Sequence, residues 1–123
     1  MQVTAIVPQL RTADLPGSIA FYTGRLGMTL AFRFDDFYAG IQAGMQLFHL
    51  KRIDHPDPSI PFVRQGEHFH LYFDVADVDE TASQLRRNGV PLLREVHDTA
   101  WGTREFVIQD EQGHVLYFGG RRP

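Results

Sequence analysis

The chain of 123 residues carries a formal net charge of −3, with 43% hydrophobic and 22% charged residues and no cysteine, a composition typical of a folded globular chain. The missing cysteines exclude disulfides and thiolate metal sites, and a pI near 6.0 argues against nucleic acid, whose phosphates need clustered Lys and Arg. No run approaches the ~20 apolar residues of a membrane span, and the first residues lack the basic-then-apolar pattern of a signal peptide, so a cytoplasmic protein is expected.

In chain order, residues 2–10 read as a strand. Asp14 then stands where it can cap a helix, and Gly27 ends that helix where a positive φ is needed. Ile19, Phe21, Tyr22 and Leu26 fall near one face of it. The period shifts to two afterwards, giving short strands over Thr29–Phe34, Tyr38–Ala43 and residues 44–51, with Asp35, Asp36 and Gly44 at the turns. Residues 54–66 contain Pro56, Pro58 and Pro61 and read as an extended linker.

The second half then repeats the first. A strand over residues 67–75 leads to Asp77, and a helix with Val78, Ala82 and Leu85 on one face runs to Gly89. Strands follow at residues 90–97, 104–109 and 114–119, with Asp110 to Gly113 as the last turn. Asp14 and Asp77 are 63 residues apart, about half the chain. The organisation is therefore βαβββ twice: a first module at residues 1–53, a linker at 54–66 and a second module at 67–123. One such module has a one-sided sheet that cannot bury its apolar face alone. The two are expected to form one α+β domain of curved, barrel-like mixed sheets with a lined interior.

Alternation assigns the faces. Phe69, Leu71, Phe73 and Val75 form an apolar set, while His68, His70, Tyr72 and Asp74 face solvent or a wet cavity. Met45, Leu47 and His49 share a face. Val115, Tyr117 and Gly119 share one face of the last strand, and Leu116 and Phe118 the other. Phe106 and Ile108 go to the apolar side, which turns Glu105 and Val107 toward the concave side and Arg104 away from it. Polar and aromatic side chains converging on a concave sheet make a small-molecule pocket. Phe32, Phe34, Tyr38, Trp101 and Tyr117 are candidates to stack on a planar ligand, and His49, His70 and Glu105 to hydrogen-bond it. The alternative for His49 and His70 is a fixed bond to backbone, and for Trp101 a place in a dimer interface. No glycine-rich phosphate loop, G-x-S-x-G elbow or Cys nucleophile is present.

Asp14-Leu15-x-x-Ser18-x-x-Phe21-Tyr22-x-x-x-Leu26-Gly27 resembles the first-helix signature of the vicinal-oxygen-chelate superfamily of glyoxalases, bleomycin resistance proteins and extradiol dioxygenases. His70-x-x-Phe73-x-Val75-x-Asp77-Val78-Asp79 is similar to its second-module entry strand. Trp101-Gly102-x-Arg104-Glu105-Phe106-x-x-x-Asp110-x-x-Gly113-His114 resembles the closing segment of its bleomycin-resistance-like branch. The resemblance implies the paired βαβββ fold, a homodimer and a pocket inside each curved sheet.

Metal-dependent members place one ligand on each of four strands. Aligned on Asp14, those positions fall on Val7, on or beside His49, on His70 and on Tyr117. Only two of them carry good ligands, whereas divalent metals bound by His generally need three or more. The resemblance thus implies no metal cofactor, and a protein that binds or sequesters a planar aromatic molecule. The alternative it carries is a metal-dependent lyase, isomerase or dioxygenase with His49, His70 and Glu105 as ligands.

Overall fold

Each half of the chain starts its helix on the Asp that the repeat singles out. In this computed structural model, which describes residues 1–123, Asp14 accepts from the Gly17 N–H at 3.1 Å and α1 (Leu15–Ala20) follows. Gly17 leaves room for the cap, since a Cβ there would stand 2.4 Å from Asp14 Oδ2. The helix widens into a π turn over Phe21–Arg25, where the Leu26 N–H donates to the Phe21 carbonyl at 3.2 Å, and ends at Gly27 with φ of +71°.

Residues 1–57 form one unit. Its strands are β1 (Gln9–Thr12), β2 (Thr29–Phe34), β3 (Tyr38–Ala43) and β4 (Gln46–Arg52), in the order β1-β4-β3-β2. β1 runs parallel to β4 and the other pairs are antiparallel. One sheet face buries Leu10, Ala39, Ile41, Phe48 and Leu50, and the helix brings Leu15, Ile19 and Tyr22 to the same core, each buried Leu, Ile or Phe contributing about 1.5–3 kcal/mol. Tyr22 meets Phe48 edge-on at 5.1 Å. The strand expected over residues 2–10 is shorter than its pattern. Its register with β4 begins at Gln9 opposite His49, and because the pair is parallel only the first three positions of β4, Gln46 to Phe48, remain for residues before Gln9. Pro8, just ahead of β1, has no N–H to donate.

Residues 58–123 form the second unit. It contains α2 (Ser59–Gln65), β5 (Leu71–Asp74), α3 (Val78–Arg87), β6 (Arg94–Asp98), β7 (Thr103–Gln109) and β8 (Val115–Arg121), with strand order β5-β8-β7-β6. Again the first strand is parallel to the last and the rest are antiparallel. Asp77 caps α3 by accepting from the Glu80 N–H at 3.0 Å. Val78, Ala82 and Leu85 bury against the face of Phe106, Ile108, Leu116 and Phe118. Phe106 and Phe118 stack at 5.1 Å. The two units are thus the expected α+β pair of unclosed, curved mixed sheets.

Two expectations change here. The proline-bearing linker is not extended throughout: Ser59–Gln65 is helical, with Pro58 as its N-cap and Pro61 in the first turn. First-turn N–H groups have no intrahelical acceptor, so a proline there loses no bond, and Ile60, 8% exposed, fastens the turn. The strand expected at residues 67–75 pairs only from Leu71, because Glu67 takes a φ of +57° directly after α2. No helix is long and apolar enough to cross a membrane.

Candidate functional site

The register of the second sheet places two rows of side chains on the face away from α3. Arg94 pairs with Val107, Val107 with Tyr117, and Tyr117 with Tyr72. One step along, His97 pairs with Glu105, Glu105 with Gly119, and Gly119 with Asp74. Directly opposed residues share a face, so Tyr72, Tyr117, Val107, Arg94, Glu105 and His97 look to the same side.

Glu105 is the centre of this face and only 5% exposed. The Tyr72 hydroxyl donates to its Oε2 at 2.8 Å and the Thr103 hydroxyl to the same oxygen at 3.1 Å. Thr103 Oγ1 is in turn 2.8 Å from Thr99 Oγ1, so a short chain of hydroxyls ends on one carboxylate oxygen. Tyr72 reaches Glu105 by crossing Gly119, where a Cβ would lie 2.0 Å from the phenol oxygen. Burial, then the hydrogen bond and charge of Glu105, push the Tyr72 phenol up to about 12. Arg104 faces the other way, bonded to Asp98 at 2.8 Å and Asp79 at 2.7 Å. Its hydrogen bond holds the Asp98 carboxyl below the usual range.

A cavity of about 690 Å³ opens on this face. Glu105 and Val107 lie on its wall with Tyr117 and Val115, and Arg64, Arg94, His68 and His97 lie around it. Trp101 also lines it while remaining 75% exposed. Its loop is closed by the Thr99 N–H donating to the Thr103 carbonyl at 2.8 Å and turns at Gly102, φ +93°. The loop backbone is therefore fixed while the indole stays out of the core.

Of the residues expected at a site, this cavity gathers Trp101, Glu105 and Tyr117. Phe32, Tyr38 and His49 gather instead on the first unit's sheet. The Tyr38 hydroxyl lies 2.8 Å from His49 Nδ1, the Gln9 amide donates to the Tyr38 hydroxyl at 3.0 Å, and Phe32 stands edge-on to His49 at 5.4 Å. Phe34 is 67% exposed at the end of β2. His70 does not line the cavity. Its Nδ1 accepts from the Val115 N–H at 3.0 Å and its ring meets buried His114 at 4.7 Å. Phe69, assigned by alternation to the apolar side, instead contacts Tyr72 at 5.6 Å and Tyr117 at 5.2 Å. Both departures share a cause: the ladder starts at Leu71, so residues 68–70 do not obey the strand's parity.

The residues do not fit a metal within either unit. Nowhere do three or more His, Asp or Glu side chains gather as such a site requires. Sequence reasoning missed Tyr72, Thr103 and Gly119. The alternation placed Tyr72 on the right face, but only the register shows it reaching Glu105.

The profile of the glyoxalase/bleomycin resistance protein/dioxygenase superfamily matches residues 3–118. Solved structures share the fold over nearly the whole chain. The bleomycin-binding protein of Streptomyces verticillus, complexed with copper(II)-bleomycin, is 23% identical with a TM-score of 0.74, covering 96% of both chains. Lactoylglutathione lyase of Agrobacterium tumefaciens is 21% identical with a TM-score of 0.72, covering 97% of this chain and 95% of that one. A glyoxalase-related enzyme of Clostridium phytofermentans is 17% identical with a TM-score of 0.79, covering 99% and 98%. No curated protein matches the chain significantly.

Proposed function

Starting from a chain that belongs to the glyoxalase/bleomycin resistance protein/dioxygenase superfamily, we propose that it binds a planar aromatic small molecule in the second-unit cavity and withholds it without turnover. One observation carries this reading: a cavity of about 690 Å³ that joins an exposed indole, a tyrosine ring and a buried carboxylate. Ligand pockets commonly span ~300–1,000 Å³, with a few placed polar groups among apolar and aromatic ones. Trp101 and Tyr117 supply rings to stack on, and Glu105 supplies an acceptor. Sequestration is favoured because the hydroxyls of the site are committed to backbone or to Glu105, not to an imidazole base.

A second copy of the chain is the proposed protein partner. β2 is exposed along its whole length, and Phe32 and Phe34, which share a face of it, with nearby Phe37, are 42–67% exposed. Contiguous exposed apolar surface marks association sites. Light scattering is expected to give about twice 14.1 kDa; a monomer removes this partner.

The binding test uses calorimetry with copper(II)-bleomycin, the ligand in the Streptomyces verticillus structure, and a panel of planar heteroaromatics. Trp101→Ala and Tyr117→Ala are expected to weaken binding by about tenfold, the scale of an aromatic contact plus its buried area. Unchanged affinity in both variants removes the assigned cavity.

A further inference from the structure

We infer that the cavity selects an aromatic ligand bearing a cationic nitrogen, because Glu105 presents a buried, singly used carboxylate to it; this rests on the binding function proposed above. Both hydroxyl donors, Tyr72 and Thr103, land on Oε2, and no protein donor bonds Oε1. No Lys or Arg pairs with Glu105: the adjacent Arg104 is held on the opposite side by Asp98 and Asp79. A carboxylate 5% exposed that faces a cavity in which no cation pairs with it gains most from a ligand that supplies one, because charge-assisted bonds are strongest where water is excluded.

The other charges on the wall do not cancel this preference. Arg64 and Arg94 carry no ion pair and Glu67 is also present, but all three are exposed. Water and salt screen exposed charges far more than a buried one. Asp98 is already neutralised by Arg104. Val107 and Tyr117 separate Arg94 from Tyr72 along their row, and Arg94 lies opposite Val107 rather than opposite Glu105. The nitrogen therefore belongs at Glu105, with the aromatic body along Tyr117 and Trp101.

Three matched probes test this by titration calorimetry: naphthylmethylammonium, neutral naphthylmethanol and anionic naphthylacetate. The ammonium probe is expected to bind about tenfold to hundredfold more tightly than the alcohol, the range for a hydrogen bond to a charged group. Glu105→Gln keeps the side chain's shape and removes its charge, and should bring the ammonium probe down to the alcohol's affinity. Tyr72→Phe leaves the charge in place and should keep the preference, which separates loss of charge from loss of fold. Equal affinities for all three probes, or a preference for the anion, would overturn the inference while leaving the aromatic cavity standing if Trp101→Ala still weakens them all. Binding of no probe to the wild type, or binding indifferent to Trp101→Ala, removes the binding function and the inference together.

Discussion

Gly119→Ala puts the geometry around Glu105 to its most direct test. A Cβ at this position would lie 2.0 Å from the Tyr72 hydroxyl oxygen, 2.7 Å from its Cζ and 3.0 Å from Glu105 Cγ. Ordinary contact distances are ~3.5 Å, so the phenol must retreat by roughly 1.5 Å. Its 2.8 Å bond to Glu105 then passes the limit of a hydrogen bond. Losing a bond to a charged group costs about 1.5–3 kcal/mol. Replacing a strand glycine by alanine returns about 0.5–1 kcal/mol through the unfolded chain. The net expectation is a destabilisation of about 0.5–2.5 kcal/mol, read as a lower urea midpoint with an unchanged slope. In a Tyr72→Ala background the clash with the phenol and the bond are both gone and only the 3.0 Å contact with Glu105 Cγ remains, so Gly119→Ala should cost much less. A double-mutant cycle isolates that coupling. Equal losses in both backgrounds would refute the placement of Tyr72 over Gly119.

Other consequences follow from buried groups. Asp110 joins its Oδ2 to His114 Nδ1 at 2.8 Å with both side chains almost fully buried, and its Oδ1 accepts from the His114 N–H at 2.8 Å. Asp110→Ala should cost about 3–5 kcal/mol in urea unfolding; a loss under 1 kcal/mol would mean the turn does not depend on this pair. Tyr72 gives a pH signature. Burial foremost raises its phenol from 10.0 to about 12, so the folded state holds this proton more tightly than the unfolded chain does. The stabilisation is full below the unfolded value and is lost as pH rises from about 10 to about 12. The fall in stability over that window should be shallower in Tyr72→Phe; identical profiles would show that Tyr72 is not held in this way.

The parts of the fold that depend on local chemistry were legible in the sequence. Asp14 and Asp77 cap their helices because a carboxylate two or three residues ahead of free N–H groups has few other uses. Glu105 and Phe106 fall on opposite faces because β7 is a fully paired strand, where parity is strict. Parity misled at His70 and Phe69 because it presumes where pairing begins, and the turn at Glu67 delays pairing to Leu71. The helix at Ser59–Gln65 was hidden because proline reads as a breaker unless its place in the first turn is known. The Tyr72–Glu105 bond was out of reach for a different reason. It spans three strands and depends on an absent side chain at Gly119, which no pattern within one strand records.

The internal repeat explains why the cavity belongs to the second unit. Pairing matches Gln9 opposite His49 with Tyr72 opposite Tyr117, and Tyr38 on β3 thereby corresponds to Glu105 on β7. Both units then make the same diagonal bond: the Gln9 amide donates to the Tyr38 hydroxyl, and the Tyr72 hydroxyl donates to Glu105. The chemistry has diverged on a shared geometry. In the first unit the bond is neutral, and Phe32 lies over Gly40 so closely that a Cβ there would stand 2.2 Å from the ring. That unit covers its own face with an aromatic ring. At the corresponding place in the second unit Val107 faces Arg94, a long exposed side chain that leaves the face open, and the neutral hydroxyl is replaced by a buried carboxylate. An open aromatic face with an uncompensated charge is costly to keep unless something occupies it, and that cost is the physical argument for a ligand at Glu105 and not at His49.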